Sequence, residues 1–364
     1  MRSPFKTSSY NMHYFKSLFI LFFLVYSCAE KPIENEPEET MYFPPNSGTW
    51  ETMTLADAGF ASAHLSDLLN YLETKHTKGF IILKNGKIVV ESYFNGHTQD
   101  SYWYWASAGK TLTSTVTGIA EQEGLIQRSH KVSEYLGTGW TAAPLAKENL
   151  ITCQHLLSMS SGLDDSLGDD VSPANLQYVA DAGTRWAYHN VYVKLQDVMA
   201  QASGQTWTAY FNTKLRDRIG MNGLWNTTDG LSVYYSNTRS MARFGLMVLN
   251  QGNWNGTQII NSAFLNDATH TSQNLNKSYG YLWWLNGQES HMYPQSQWVF
   301  NGTLVPTAPV DMYAALGKND QKIYVVPQQK LVIVRMGDAA DGSSVALSDF
   351  DEVLWEKLTL VINN

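Results

Sequence analysis

Residues 80–90 read Phe-Ile-Ile-Leu-Lys-Asn-Gly-Lys-Ile-Val-Val. Two apolar runs flank Asn85-Gly86, a dipeptide that tolerates positive φ at both positions and so suits the type I′ turn of a tight hairpin. A second pair stands near the other end of the chain, Ile323-Tyr324-Val325-Val326 and Leu331-Val332-Ile333-Val334, joined by Pro327-Gln328-Gln329-Lys330. Helical periodicity frames both hairpins. Leu65, Leu68, Leu69 and Leu72 recur at i, i+3, i+4 and i+7 within 62–75, and Phe350, Val353, Leu354 and Leu358 share one face over about 348–358. Between the hairpins the patterns are mainly helical, as in Leu195, Val198, Met199 and Ala202 before Gly204, and again over 240–250. No strand run of comparable strength stands there. The pattern predicts an α/β (α+β) fold, with an antiparallel sheet built from both chain ends (49–125 and 276–364) and flanked by helices. A mainly helical domain, 126–275, is inserted between them.

Of 364 residues, 44% are hydrophobic and 16% charged, which excludes disorder for most of the chain and allows a large core. Lys and Arg number 25 against 33 for Asp and Glu, a net charge of -8 that opposes nucleic-acid binding. Two cysteines cannot build a disulfide framework. The nine histidines show no His-x-x-x-His spacing, and no Cys-x-x-Cys occurs, so neither metal nor cofactor is expected. Gly137-Thr138-Gly139 lacks the lysine and length of a phosphate loop. What survives is an enzyme acting on a small molecule.

Residues 1–27 carry Arg2, Lys6 and Lys16, no acidic residue, and the apolar run Leu18 to Tyr26. That run is too short to span a bilayer but suits a signal peptide. Ser27-Cys28 resembles a bacterial lipobox, so Cys28 is the expected lipidated N-terminus, holding the protein at the membrane of the bacterial cell envelope. Residues 28–48 are rich in Glu and Pro and read as a flexible acidic tether. Cys153, in the apolar stretch Leu-Ile-Thr-Cys-Gln-His-Leu-Leu, reads as a buried structural thiol.

The segment Trp105-Ala106-Ser107-Ala108-Gly109-Lys110-Thr111-Leu112 opens a helical stretch that reaches about Gln122. Ser107 and Lys110 stand at i and i+3, on one helix face. A serine at a helix N-terminus has free backbone N–H groups beside it, and a desolvated lysine can take its proton. The same spacing recurs at Ser3 and Lys6, and an isolated copy equally fits a capping serine with a solvated lysine. Tyr-x-Asn, which can supply a phenolic base and an orienting amide, begins at Tyr93, Tyr188, Tyr210 and Tyr235, and spacing does not choose among them.

Context adds a resemblance. Ser107 to Lys110, Leu150 to Leu163 and Gly183 to Asn190 occur in that order, followed by Ser240 to Gly245, Tyr279 to Trp284 and Ile323 to Arg335. Together these segments, over about 50–360, resemble the serine β-lactamase and penicillin-binding-protein superfamily, specifically its class C-related serine hydrolases. The resemblance implies Ser107 as the acylated nucleophile, Lys110 as its proton partner, Tyr188 as base and Asn190 as a hydrogen-bonding support. It also implies an oxyanion hole made of the Ser107 N–H and a second N–H near a strand end. The superfamily's Lys-Thr-Gly or His-Thr-Gly triplet falls at Ala315-Leu316-Gly317, where only Gly317 matches. Lys318 is expected to face the opposite side of that strand. Without the basic residue and hydroxyl that hold a β-lactam carboxylate, the expected substrates are small esters or amides. Esterases and 6-aminohexanoate-dimer hydrolases of the superfamily are of this kind. Trp103 is expected to line the acyl pocket, His189 to be packed or solvated rather than, as its place inside the Tyr-x-Asn triplet also allows, to touch substrate, and Asp164-Asp165 and Asp169-Asp170 to form a solvated loop beside the cleft. A D-amino-acid peptidase, a β-lactamase-type enzyme and a non-catalytic ligand-binding protein on the same scaffold are the alternatives.

Overall fold

In the computed structural model the described residues are 40–228, 231–342 and 346–362. The leader, Cys28 and the tether as far as residue 39 lie outside them. Helix α1 (Leu65–Thr74) leads into β1 (Thr77–Lys84) and β2 (Lys87–Tyr93), and the turn between the strands has Asn85 at φ 49° and Gly86 at φ 82°, the type I′ geometry read from the sequence. Then follow β3 (Trp103–Tyr104), a single 3₁₀ turn (Ala106–Gly109) and α2 (Lys110–Gln122). Helix α3 (Lys194–Ser203) ends at Gly204 in the left-handed conformation, φ 67°. The chain continues through β4 (Leu224–Thr228), β5 (Leu231–Ser236) and α4 (Thr238–Leu249). It ends with β6 (Trp284–Leu285), β7 (Tyr313–Gly317), β8 (Gln321–Val326), β9 (Leu331–Gly337) and α5 (Asp349–Ile362).

The main sheet runs β2-β1-β9-β8-β7-β6, with every pair antiparallel. Its centre joins the two ends of the chain, because β1 pairs with β9 from Thr77↔Gly337 to Lys84↔Leu331. Strands β7, β8 and β9 are buried at every position, which explains their unbroken apolar runs: helices cover both faces. On one face α5 lies beside α1, with Tyr71 and Phe350 stacked at 5.8 Å. On the other, α4 packs so closely that a Cβ on Gly245 would meet Val332 at 2.5 Å. Helix α4 belongs by sequence to the inserted segment, yet it packs on the sheet, and residues from 40 onward form one packed unit.

Two features differ from the sequence reading. The middle of the chain contributes the β4–β5 hairpin, and β5 pairs with β3 to give a second sheet in the order β3-β5-β4. Its alternation is too brief to stand out, and burial of Tyr234 against Trp105 and Phe211 holds it in place. The tether also ends before residue 48. Tyr42 N–H donates to the Asn85 carbonyl at 2.9 Å, Phe43 packs edge-on against Trp254, and the Pro44 and Pro45 carbonyls accept from Arg243. The apolar run Met41-Tyr42-Phe43 has surface to bury, which the acidic residues before it lack.

Beneath α5 the core holds charge. Lys322 Nζ reaches Asp351 Oδ2 at 2.7 Å and Asp320 Oδ1 at 3.2 Å, and the Tyr324 hydroxyl donates to Asp351 Oδ1 at 2.5 Å. Arg335 donates to the carbonyls of Lys75, Asn319, Asp320 and Asp338. Removing one member strands the rest without water. Asp351→Ala is therefore expected to destabilise the protein by about 3–5 kcal/mol, read as a lower urea midpoint with unchanged slope.

Candidate active site

The turn that carries Ser107 is held from both sides. Trp105 N–H donates to the Tyr234 carbonyl at 2.8 Å and its indole N–H to Ser236 Oγ at 2.7 Å, tying the turn to β5. Ala106 then sits at φ 48°, a conformation that costs an alanine energy and that surrounding contacts must enforce. On the other side stands β7. A Cβ on Gly317 would lie 2.4 Å from the Trp105 carbonyl oxygen and 2.9 Å from the Ala108 nitrogen, so only glycine allows this approach.

From that turn Lys110 points inward, 2% exposed. Its Nζ lies 2.8 Å from Ser107 Oγ and 3.2 Å from Asn190 Oδ1. The rings of Tyr188 and Tyr192 stand 4.8 and 4.6 Å from the same nitrogen. Burial pushes the Lys110 pKa down to about 7, against the opposing pull of Asp169. Burial likewise pushes Tyr188 up to about 12, opposed by hydrogen bonding with Ser107 and Trp284. Both shifts favour the uncharged form of the side chain, the amine of Lys110 and the phenol of Tyr188. The family resemblance implies Tyr188 as base; the directions of these two shifts favour Lys110.

Ser107, Lys110, Tyr188 and Asn190 all line one cleft of about 620 Å³. Tyr235 lines the cleft too, so the cleft alone does not choose among the four Tyr-x-Asn copies; contact with Lys110 marks the copy at Tyr188, the one the resemblance implies. Polar residues also stand in the cleft wall, among them Tyr104 and Asn319, whose side-chain amide donates to the Tyr104 hydroxyl at 2.6 Å.

Two residues stand elsewhere than the sequence implies. Trp103 does not line the cleft: its indole N–H donates to the Gly337 carbonyl at 3.1 Å, and Lys78 Nζ sits 4.4 Å from its ring. Alternation along β3 turns Tyr104 into the cleft instead. Lys318, expected on the far side of the strand, lines the cleft. The strand ends at Gly317, and Asn319 and Asp320 both take φ 60°, so alternation no longer governs the direction of Lys318. Cys153 is buried, and burial pushes its thiol up to about 12, which suits a structural thiol. Among the described residues, no three His, Cys, Asp or Glu side chains are grouped to hold a metal ion.

Tyr192 carries no sequence signature, and for Asp165 and Asp169 the sequence gives a place beside the cleft but not their contacts. Tyr192 supplies one of the rings over Lys110. Asp169 accepts from Asn190 Nδ2 at 2.6 Å, so the Asp169-Asp170 pair is not simply a solvated cluster. Asp165 is buried and paired with Arg185 at 2.7 Å. Their roles arise from contacts across 20 or more residues, as for Asp165 and Arg185, and no local pattern marks such contacts.

Known proteins match over the same region. The family described as Beta-lactamase matches residues 70–353. An uncharacterised protein of Alkalihalophilus pseudofirmus is 26% identical over 294 residues, covering 70% of this chain and 81% of its own length. A Bacillus anthracis protein that carries the name of a 6-aminohexanoate-dimer hydrolase superposes with a TM-score of 0.65 at 19% identity, over 89% of each chain. EstCE1, a hydrolase with promiscuous acyltransferase activity, superposes with a TM-score of 0.61 at 11% identity, over 82% of this chain and 98% of its own. With the match spanning most of its length, the chain belongs to the Beta-lactamase family.

Proposed function

We propose that this protein is a serine hydrolase that cleaves small esters or amides through an acyl-enzyme on Ser107. The observation that carries the reading is the Lys110 amine, buried and 2.8 Å from Ser107 Oγ. A lysine kept from water beside a serine has no structural advantage over an apolar side chain, whereas its neutral form is a base at the place where one is needed. Ser107 Oγ attacks the substrate carbonyl carbon as its proton passes to Lys110 Nζ. The oxyanion is held by the Ser107 N–H and by a second N–H where β7 gives way to its turn, at Lys318. Collapse expels the alcohol or amine, which takes the proton from Lys110 by way of the Tyr188 hydroxyl. Water then attacks the acyl-enzyme, its proton following the same route, and the acid leaves. The N-terminal reading completes the picture with a lipid anchor on Cys28 at the bacterial cell envelope.

A second reading, recognition of a substrate carboxylate as in peptidases and β-lactamases, is favoured by one observation: Lys318 lines the cleft. Ala315 and Leu316, both buried in β7, supply neither the charge nor the hydroxyl that would complete such a site.

A fluorophosphonate probe is expected to add one label to the wild type and none to Ser107→Ala, read by intact mass. A folded wild type left unlabelled would favour a binding protein. With p-nitrophenyl butyrate, kcat/KM is expected to rise with pH through about 7 as Lys110 loses its proton. A limb rising only at far higher pH would put the base on Tyr188. Turnover of p-nitrophenyl butyrate is expected to exceed that of nitrocefin by about 100-fold or more, since the carboxylate contact is incomplete. Efficient nitrocefin hydrolysis, lost in Lys318→Ala, would establish the second reading.

A further inference from the structure

The chemistry at Ser107 needs two N–H groups aimed at one oxygen, and they stand on different elements: that of Ser107 on the turn before α2, that of Lys318 where β7 ends. The turn after β7 is fastened to the core from one side. The Asn319 carbonyl accepts from Gln321 Nε2 at 2.8 Å and from Arg335 Nη1 at 3.0 Å, and Asp320 Oδ2 accepts from the Ala340 N–H at 3.0 Å. From the other side the Asn319 side-chain amide donates to the Tyr104 hydroxyl at 2.6 Å, and both residues line the cleft. Tyr104 stands at i−3 from Ser107, on β3, which pairs with β5 at Tyr104↔Tyr235. The bond therefore joins the strand end that carries one N–H to the segment that carries the other.

Asn319 sits at φ 60°, a left-handed conformation that asparagine tolerates, so the backbone explains why an asparagine can stand there. It does not explain the reach of the side chain to a hydroxyl 215 residues away. Oxyanion donors act only when they are held in place before the charge develops, and a displacement of about 1 Å costs on the order of 100-fold in rate. We propose that the Tyr104–Asn319 bond is a clamp that holds the Lys318 N–H at a fixed distance from the Ser107 N–H. Tyr104 and Asn319 are then positioning residues, which act through the two N–H groups rather than on the reacting atoms. The inference rests on the reading of Ser107 as the acylated nucleophile and of Lys318 as the second donor.

The test is a double-mutant cycle with p-nitrophenyl butyrate. Tyr104→Phe removes only the hydroxyl, and Asn319→Gly removes the amide while keeping a backbone that accepts φ 60° without strain. Each is expected to lower kcat by about tenfold with KM within about twofold, because the charge on the oxygen develops only after binding. The double variant is expected to be no slower than the slower single one, since both changes break the same bond. Fluorophosphonate labelling, whose phosphoryl oxygen enters the same hole, is expected to slow in parallel. Urea midpoints report folding, and the two single variants guard against misfolding of either. An unchanged kcat in a folded single variant would overturn the proposal. So would a raised KM at constant kcat, which marks ordinary substrate contact, or effects that multiply in the double variant. A wild type that neither hydrolyses the ester nor takes the label would instead overturn the reading of Ser107.

Discussion

Burying the amine of Lys110 obliges its surroundings to supply what water would have given. Ser107 Oγ and Asn190 Oδ1 accept from it, two tyrosine rings face it, and Asp169 steadies Asn190 through the amide nitrogen. Lys110 and Asn190 stand 80 residues apart, so the amine can be satisfied only when α2 and the segment entering α3 are packed together. The desolvation that makes Lys110 costly to bury also brings its pKa to about 7, where it can exchange protons near neutral pH.

The sheet makes that packing rigid. Pairing β1 with β9 joins the chain ends, and the buried network of Lys322, Asp351, Tyr324 and Arg335 fastens α5 against the strands. At the edge nearer the cleft, Gly317 lets β7 approach the turn before α2, which fixes where the Ser107 N–H points. The strained Ala106 lies between this support and β5, where contacts on both sides enforce it.

Much of the fold is legible in the sequence because its signals are local. Asn85-Gly86 specifies its own turn, the leucines of α1 specify their own face, and Gly204 ends α3 through its own backbone freedom. The β4–β5 hairpin is not legible, since its short alternation gains stability only against Trp105 and Phe211. Docking of residues 41–45 likewise depends on surfaces supplied by the hairpin turn and Arg243.

At the site, spacing alone settles that Ser107 and Lys110 share a helix face, since i and i+3 meet on any helix. It also supplies four Tyr-x-Asn candidates. Folding then picks Tyr188 and Asn190 as the pair that meets Lys110, turns Tyr104 rather than Trp103 to the cleft, and brings Lys318 into it. Burial, which no spacing encodes, pushes the Lys110 pKa down and that of Tyr188 up. Order along a chain fixes local geometry, whereas proton affinity depends on which distant groups have displaced the water.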